Sequence, residues 1–221
     1  MNTALTRLGI LLCALSASAA LPGCTTTCVN GYYGTVCYTS GYYYDSLVPG
    51  LDYETSLDGE VIRTGVTGEG DDPGRFLFIE GATVSFSLGG VSLGESVGKE
   101  RVTPFDLGGI DEEAVGGCDV SGDLPDDTSA FRRVANLAVL LQTLDTDGDD
   151  TNGIDIRPDV AALFEGLTLD VDQASASFEA DGAILGLLDQ ANAEALFPSE
   201  RALVPREDAL RALYRAIGLC P

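Results

Sequence analysis

The stretch TLDTDGDDTNGIDI, residues 143–156, gathers Asp145, Asp147, Asp149, Asp150 and Asp155 with Asn152 into one short run. Short carboxylates at alternating positions can offer several oxygens to one hard cation. Calcium takes about six to eight such ligands. Gly148 and Gly153 permit the positive backbone torsions that a tight wrap needs. A long apolar segment precedes the run, so the carboxylates follow a helix C-terminus, where the helix dipole disfavours anions. Repulsion and dipole together call for a cation or ample water. Three uses compete: a calcium site, a solvated loop of turn residues, and a catalytic carboxylate cluster. The electrostatic balance favours calcium, with Asp145, Asp147, Asp149, Asp150, Asn152 and Asp155 as ligands.

The run resembles the DxDxD loops of calcium-binding repeats. It departs from the EF-hand in having Asp150 where that loop has glycine, and Ile156 where it has the distal glutamate. Asp155, Asp159 or a backbone oxygen would have to replace that distal ligand. Calcium is abundant outside cells, so even a weak site would fill there.

Other chemistry is narrowed by composition. The chain of 221 residues has 35 acidic against 12 basic side chains, a formal charge of −23, and no histidine. Such a surface repels nucleic acid, and nucleic acid is not expected as a partner. Without histidine, Ser-His and Cys-His nucleophile pairs cannot form. SVGK at 96–99 fits the S-x-x-K of penicillin-recognising enzymes, but Lys99 is the only lysine, so no K-T-G can follow. Two carboxylates could serve a glycosidase-type hydrolase, yet with so many acids their presence decides nothing. The chain reads as a non-enzyme.

The N-terminus reads as an export signal. Arg7 precedes LGILLCALSASAAL, an apolar run too short to span a bilayer comfortably. It ends in LPGC, Leu21 to Cys24, which resembles the lipobox of bacterial lipoproteins. That resemblance implies cleavage before Cys24 and acyl chains on Cys24, hence a membrane partner. Each buried methylene adds ~0.8 kcal/mol of anchoring. Thr25 in place of aspartate implies the outer membrane or cell surface in a Gram-negative cell. Cysteines stand at 13, 24, 28, 37, 118 and 220. Cleavage removes Cys13 and lipidation uses Cys24; the remainder can pair completely in an oxidising compartment. The preferred pairs are Cys28–Cys37 and Cys118–Cys220.

The elements that must position these groups follow from periodicity. After the signal peptide (1–23) comes a Tyr/Gly-rich tether (24–46). Residues 47–108 read as short strands bounded by Gly, Asp and Pro clusters. In TVSFSL, residues 83–88, Val84, Phe86 and Leu88 point one way and the hydroxyls the other. TGVTGEGDDPGRFLF resembles the turn of carboxypeptidase-regulatory-like and transthyretin-like modules, which implies a non-catalytic β-sandwich. The order of motifs over 50–156 is similar to that of uncharacterised exported proteins of Gram-negative bacteria, some with adhesin-like or transport-associated names. An acidic linker (109–128) leads to a helical domain (129–221). Its helices are expected within 126–144, after capping residues Asp126 to Ser129, and at 158–167, 178–196 and 205–218. The expected fold class is α+β: a small antiparallel sandwich or barrel followed by a helical bundle. The expected role is structural or adhesive, with a protein or glycan partner. The alternative is a periplasmic accessory of a lipid or solvent transport system, favoured if the helices enclose an apolar cleft.

Overall fold

The computed structural model describes residues 26–31, 34–68, 72–115, 118, 120, 130–149 and 151–220. Strands β1 (Thr26–Gly31) and β2 (Gly34–Tyr43) form an antiparallel hairpin. β5 (Arg75–Phe78) pairs antiparallel with β2, and the short β8 (Arg101–Val102) pairs parallel with it. A second antiparallel sheet has the order β4-β3-β6-β7, from Glu60–Val66, Asp52–Leu57, Thr83–Leu88 and Val91–Val97.

The alternation in β6 is realised: Val84, Phe86 and Leu88 are buried while Thr83, Ser85 and Ser87 are half-buried. The sheets meet through rings. Phe86 lies edge-on to Tyr43 and Phe76, with centroids 5.0 and 5.2 Å apart. Two polar ties cross between the sheets, from Thr55 Oγ1 to the Leu77 carbonyl at 2.8 Å and from the Tyr38 hydroxyl to the Ile62 carbonyl at 3.3 Å. A hydroxyl buried among rings must find such a carbonyl or lose its hydrogen bonds to water outright.

The described residues of the segment expected as a tether lie within strands β1 and β2 and the turn that follows. Tyr38, Ser40 and Tyr43 are buried, and Cys28 pairs with the directly opposite Cys37 at a Cα separation of 4.0 Å. A period of two ran through residues 38–40, but glycines, hydroxyls and tyrosines gave it little hydropathic contrast.

Helix α1 (Pro104–Gly108) opens with a capping box: the Thr103 backbone N–H donates to Asp106 Oδ2 at 2.8 Å. α2 (Ala130–Leu144) is the central element of the second half. It is buried on every side from Val134 to Leu144, as a helix apolar all round must be. Its polar side chains each reach a different neighbour. Asn136 Nδ2 donates to the carbonyls of Val171 and Gln173, both at 2.9 Å. Thr143 Oγ1 accepts from Val204 N–H at 3.0 Å, and Gln142 Nε2 donates to Asp45.

The remaining helices are α3 (Pro158–Ala162), α4 (Ser175–Glu179), α5 (Gly182–Ala193) and α6 (Arg206–Ala216). The span expected as one helix at 178–196 is two pieces, because Asp181 caps α5 through Ala183 N–H and ends continuity with α4. α3 stops short of the expected 167 and leaves Phe164 fully buried beneath the β6–β7 turn. There a Cβ on Gly89 would come within 2.6 Å of Phe164 Cβ, so the two halves touch directly. One apolar core runs from Tyr43 through Phe86, Leu140 and Leu213 to Tyr214. Among the described residues no helix is long and apolar enough to cross a membrane.

Cys118 pairs with Cys220, with Cα atoms 5.1 Å apart at a sequence separation of 102. This clips the end of the chain beside α1 and α6. Because α2 is enclosed, Leu140→Ala should lower stability by about 2–5 kcal/mol, read as a shift in the denaturant midpoint. A shift below about 1 kcal/mol would show that the surrounding elements collapse onto the site.

Candidate cation site

The Asp-rich loop begins where α2 ends. Asp145 N–H still bonds the Leu141 carbonyl at 3.2 Å, and then the chain leaves the helix. The base of the loop is closed by a small ladder. Thr146 N–H and Oγ1 donate to the Asp155 carbonyl at 3.0 and 2.5 Å, and Asp155 N–H donates to Asp145 Oδ1 at 2.9 Å. Asp147 and Asp149 each accept from the backbone N–H two residues on, at 3.0 Å, as short acidic side chains do in turns. Asn152 Nδ2 donates to Asp147 Oδ2 at 2.9 Å.

These bonds sort the expected ligands. Asp145 is almost fully buried, while Asp147, Asp149, Asn152 and Asp155 are exposed. The Asp145 and Asp147 carboxyls stand within hydrogen-bonding reach of each other. Burial pushes Asp145 up to about 6, held back by the Asp155 N–H and raised further by the charge of Asp147. The amide of Asn152, then the N–H of Asp149, hold Asp147 below the ordinary carboxylate range. Asp149 is taken up by Thr151, whose Oγ1 donates to it at 2.6 Å. Asp150 lies outside the described residues, as does Cys24.

Among the described residues no group of three or more carboxylate or thiolate side chains converges as a metal cage. The structure brings together a carboxyl pair with an amide beside it. Asp147, Asn152 and Asp155 also border an open hollow of about 400 Å³, whose other wall includes Leu47, Pro49 and Pro73.

The helix terminus is served by a group that spacing did not single out. Arg201 Nη2 donates to the carbonyls of Asp145 and Thr146, at 2.8 and 3.2 Å. Its guanidinium rests 5.0 Å from the centroid of the Phe197 ring and lies against Gly148, where a Cβ would come within 2.6 Å of Nη1. Asn192 fixes the backbone of Arg201 through reciprocal bonds of 2.7 Å. A cation at a helix C-terminus is favoured by the dipole, so part of the repulsion is answered from within the chain. Nothing in residues 197–204 marks Arg201 in the sequence; its place is set by the fold 55 residues from Thr146.

No protein family matches this chain, and no curated protein or solved structure matches it.

Arg201→Ala leaves two carbonyls without their charged donor. Stability should fall by about 1.5–3 kcal/mol in denaturant titrations, the range for hydrogen bonds to a charged group. A loss under about 0.5 kcal/mol would mean that water serves the helix end equally well.

Proposed function

We propose that the protein is an exported lipoprotein, held by acyl chains on Cys24, that serves a structural or adhesive role at the cell envelope. The observation that carries this reading is the pairing of cysteines. Two bridges use Cys28, Cys37, Cys118 and Cys220, and such bridges are favoured in an oxidising compartment. What remains is Cys13, within the export signal, and Cys24 at the end of LPGC. β1 starts at Thr26, so the lipid would sit immediately before the fold, with the body close to the bilayer.

On this reading the two sheets act as a sandwich module and the helices as a small bundle around α2. The exposed faces then meet a protein or glycan partner. The Asp-rich loop takes calcium through the carboxyl pair of Asp145 and Asp147, with Asn152, Asp155, Asp149 and Asp150 within the same short loop. A bound ion stabilises the folded form in proportion to its occupancy. Two features support this part: the crowding of carboxyls at a helix end, and the absence, among the described residues, of any Lys or Arg donating to the Asp147, Asp149 or Asp155 carboxylates.

Membrane fractionation of Cys24→Ser tests the anchor: the variant should move to the soluble extracytoplasmic fraction, and an unchanged distribution overturns it. Thermal unfolding with calcium and with chelator tests the loop. The expected shift is several degrees upward with calcium, abolished in Asp147→Ala. Superimposable melts in the two buffers would leave the loop as a solvated turn.

A further inference from the structure

Asp45 follows β2 at the junction of the sheets with α2. It is fully buried. Its Oδ1 accepts from Gln142 Nε2 at 3.0 Å, and Oδ2 has no partner among the described residues. The hydroxyl of neighbouring Tyr43, also fully buried, has none either. A carboxylate with one neutral donor in apolar surroundings is unfavourable, and a bound proton relieves it. The polar groups facing it are Gln142 from α2 and Tyr43 at the end of β2; burial above all, then the charges of Asp45 and of Asp106 of α1, raises Tyr43. Asp106 is itself occupied by Lys99 and the Thr103 N–H. Among the described residues no basic side chain donates to Asp45.

The next two residues carry strain. Ser46 and Leu47 have φ of 63° and 58°, a region that residues with a Cβ seldom occupy, still less in succession. Val48, fully buried, closes the turn by donating to the Tyr43 carbonyl at 3.3 Å. The turn lies on the base of the Asp-rich loop: Ile154 N–H donates to the Leu47 carbonyl at 3.4 Å, and a Cβ on Gly153 would come within 2.9 Å of the Ser46 carbonyl. Strain of this kind persists only while the surroundings over-determine it.

We propose that Asp45 is a proton-operated latch between the two halves, holding the strained Ser46–Leu47 turn over the base of the Asp-rich loop when protonated and releasing it when ionised. On ionisation the proton passes to water, the carboxylate follows it toward solvent, and the turn relaxes from its left-handed pair. The latch works whether or not a metal occupies the loop.

The direction with pH is fixed by burial, which pushes Asp45 up to about 7 from an ordinary value of 3.8. The folded form binds its proton more tightly than the unfolded chain does. The stability it contributes is full below the ordinary value and is lost as pH rises toward about 7. Above that, both states are ionised and the loss is complete.

The test is made on the mature protein in chelator, so that metal plays no part. Carboxyl-carbon NMR of the wild type should show Asp45 half-titrated near neutrality; an ordinary midpoint below pH 5 overturns the proposal. Thermal melts at pH 5.5 and 8.5 should show the wild type losing several degrees more than Asp45→Asn, and equal losses overturn it. Amide exchange at Val48 and Ile154, corrected for intrinsic rates, should accelerate severalfold in the wild type over the same interval. Unchanged corrected rates would show that the turn is not released.

Discussion

The enclosure of α2 is the constraint on which the rest of the structure depends. A helix buried on every side cannot leave a polar side chain without a partner, because no water is there to replace one. Asn136, Gln142 and Thr143 therefore dictate where other segments lie. Asn136 draws in the 171–173 segment, Thr143 fixes Val204 ahead of α6, and Gln142 reaches back to Asp45 at the end of β2. Three stretches far apart in sequence are thus registered against one helix by groups that are few and costly to leave unmade.

The same helix generates the electrostatic problem at its end. Its last carbonyls point toward a loop rich in aspartate, and the chain answers with Arg201 from beyond α5. The loop is consequently two-sided. Its inner side is organised by a guanidinium on backbone oxygens; its outer side keeps carboxylates that no basic side chain among the described residues satisfies. Charge placed at such a loop is shared between a permanent internal cation and whatever the medium supplies, protons included. Asp45 shows the complementary case: a carboxyl fully enclosed, which burial pushes up to about 7.

Much of this was legible in the residues. The strands from Asp52 to Val97 follow the alternation of apolar and polar positions, and the two disulfides are the preferred pairing among the three that four cysteines allow. α2 and α6 follow from periodic apolar stripes. The strands β1 and β2 were not legible because Tyr, Gly, Ser and Thr carry little hydropathic contrast, although Tyr38 and Tyr43 are core residues. α1 was missed at five residues, too short for periodicity to register, though its Thr103 to Asp106 spacing is a capping signal. Within the Asp-rich loop the candidate residues were identifiable, but not their division into a buried Asp145 and exposed Asp147, Asp149 and Asp155.

The sequence by itself determined the alternating strands, the enclosed helix, the excess of negative charge and the cysteines available to pair, since each is a property of local pattern or of count. Tertiary structure alone decided that Arg201 would meet the end of α2, that Gln142 would hold Asp45, and that the Ser46–Leu47 turn would press on Gly153. The physical reason is that burial is collective. Whether a carboxyl is solvated or enclosed, and which cation lies beside it, depends on segments that approach only when the core closes.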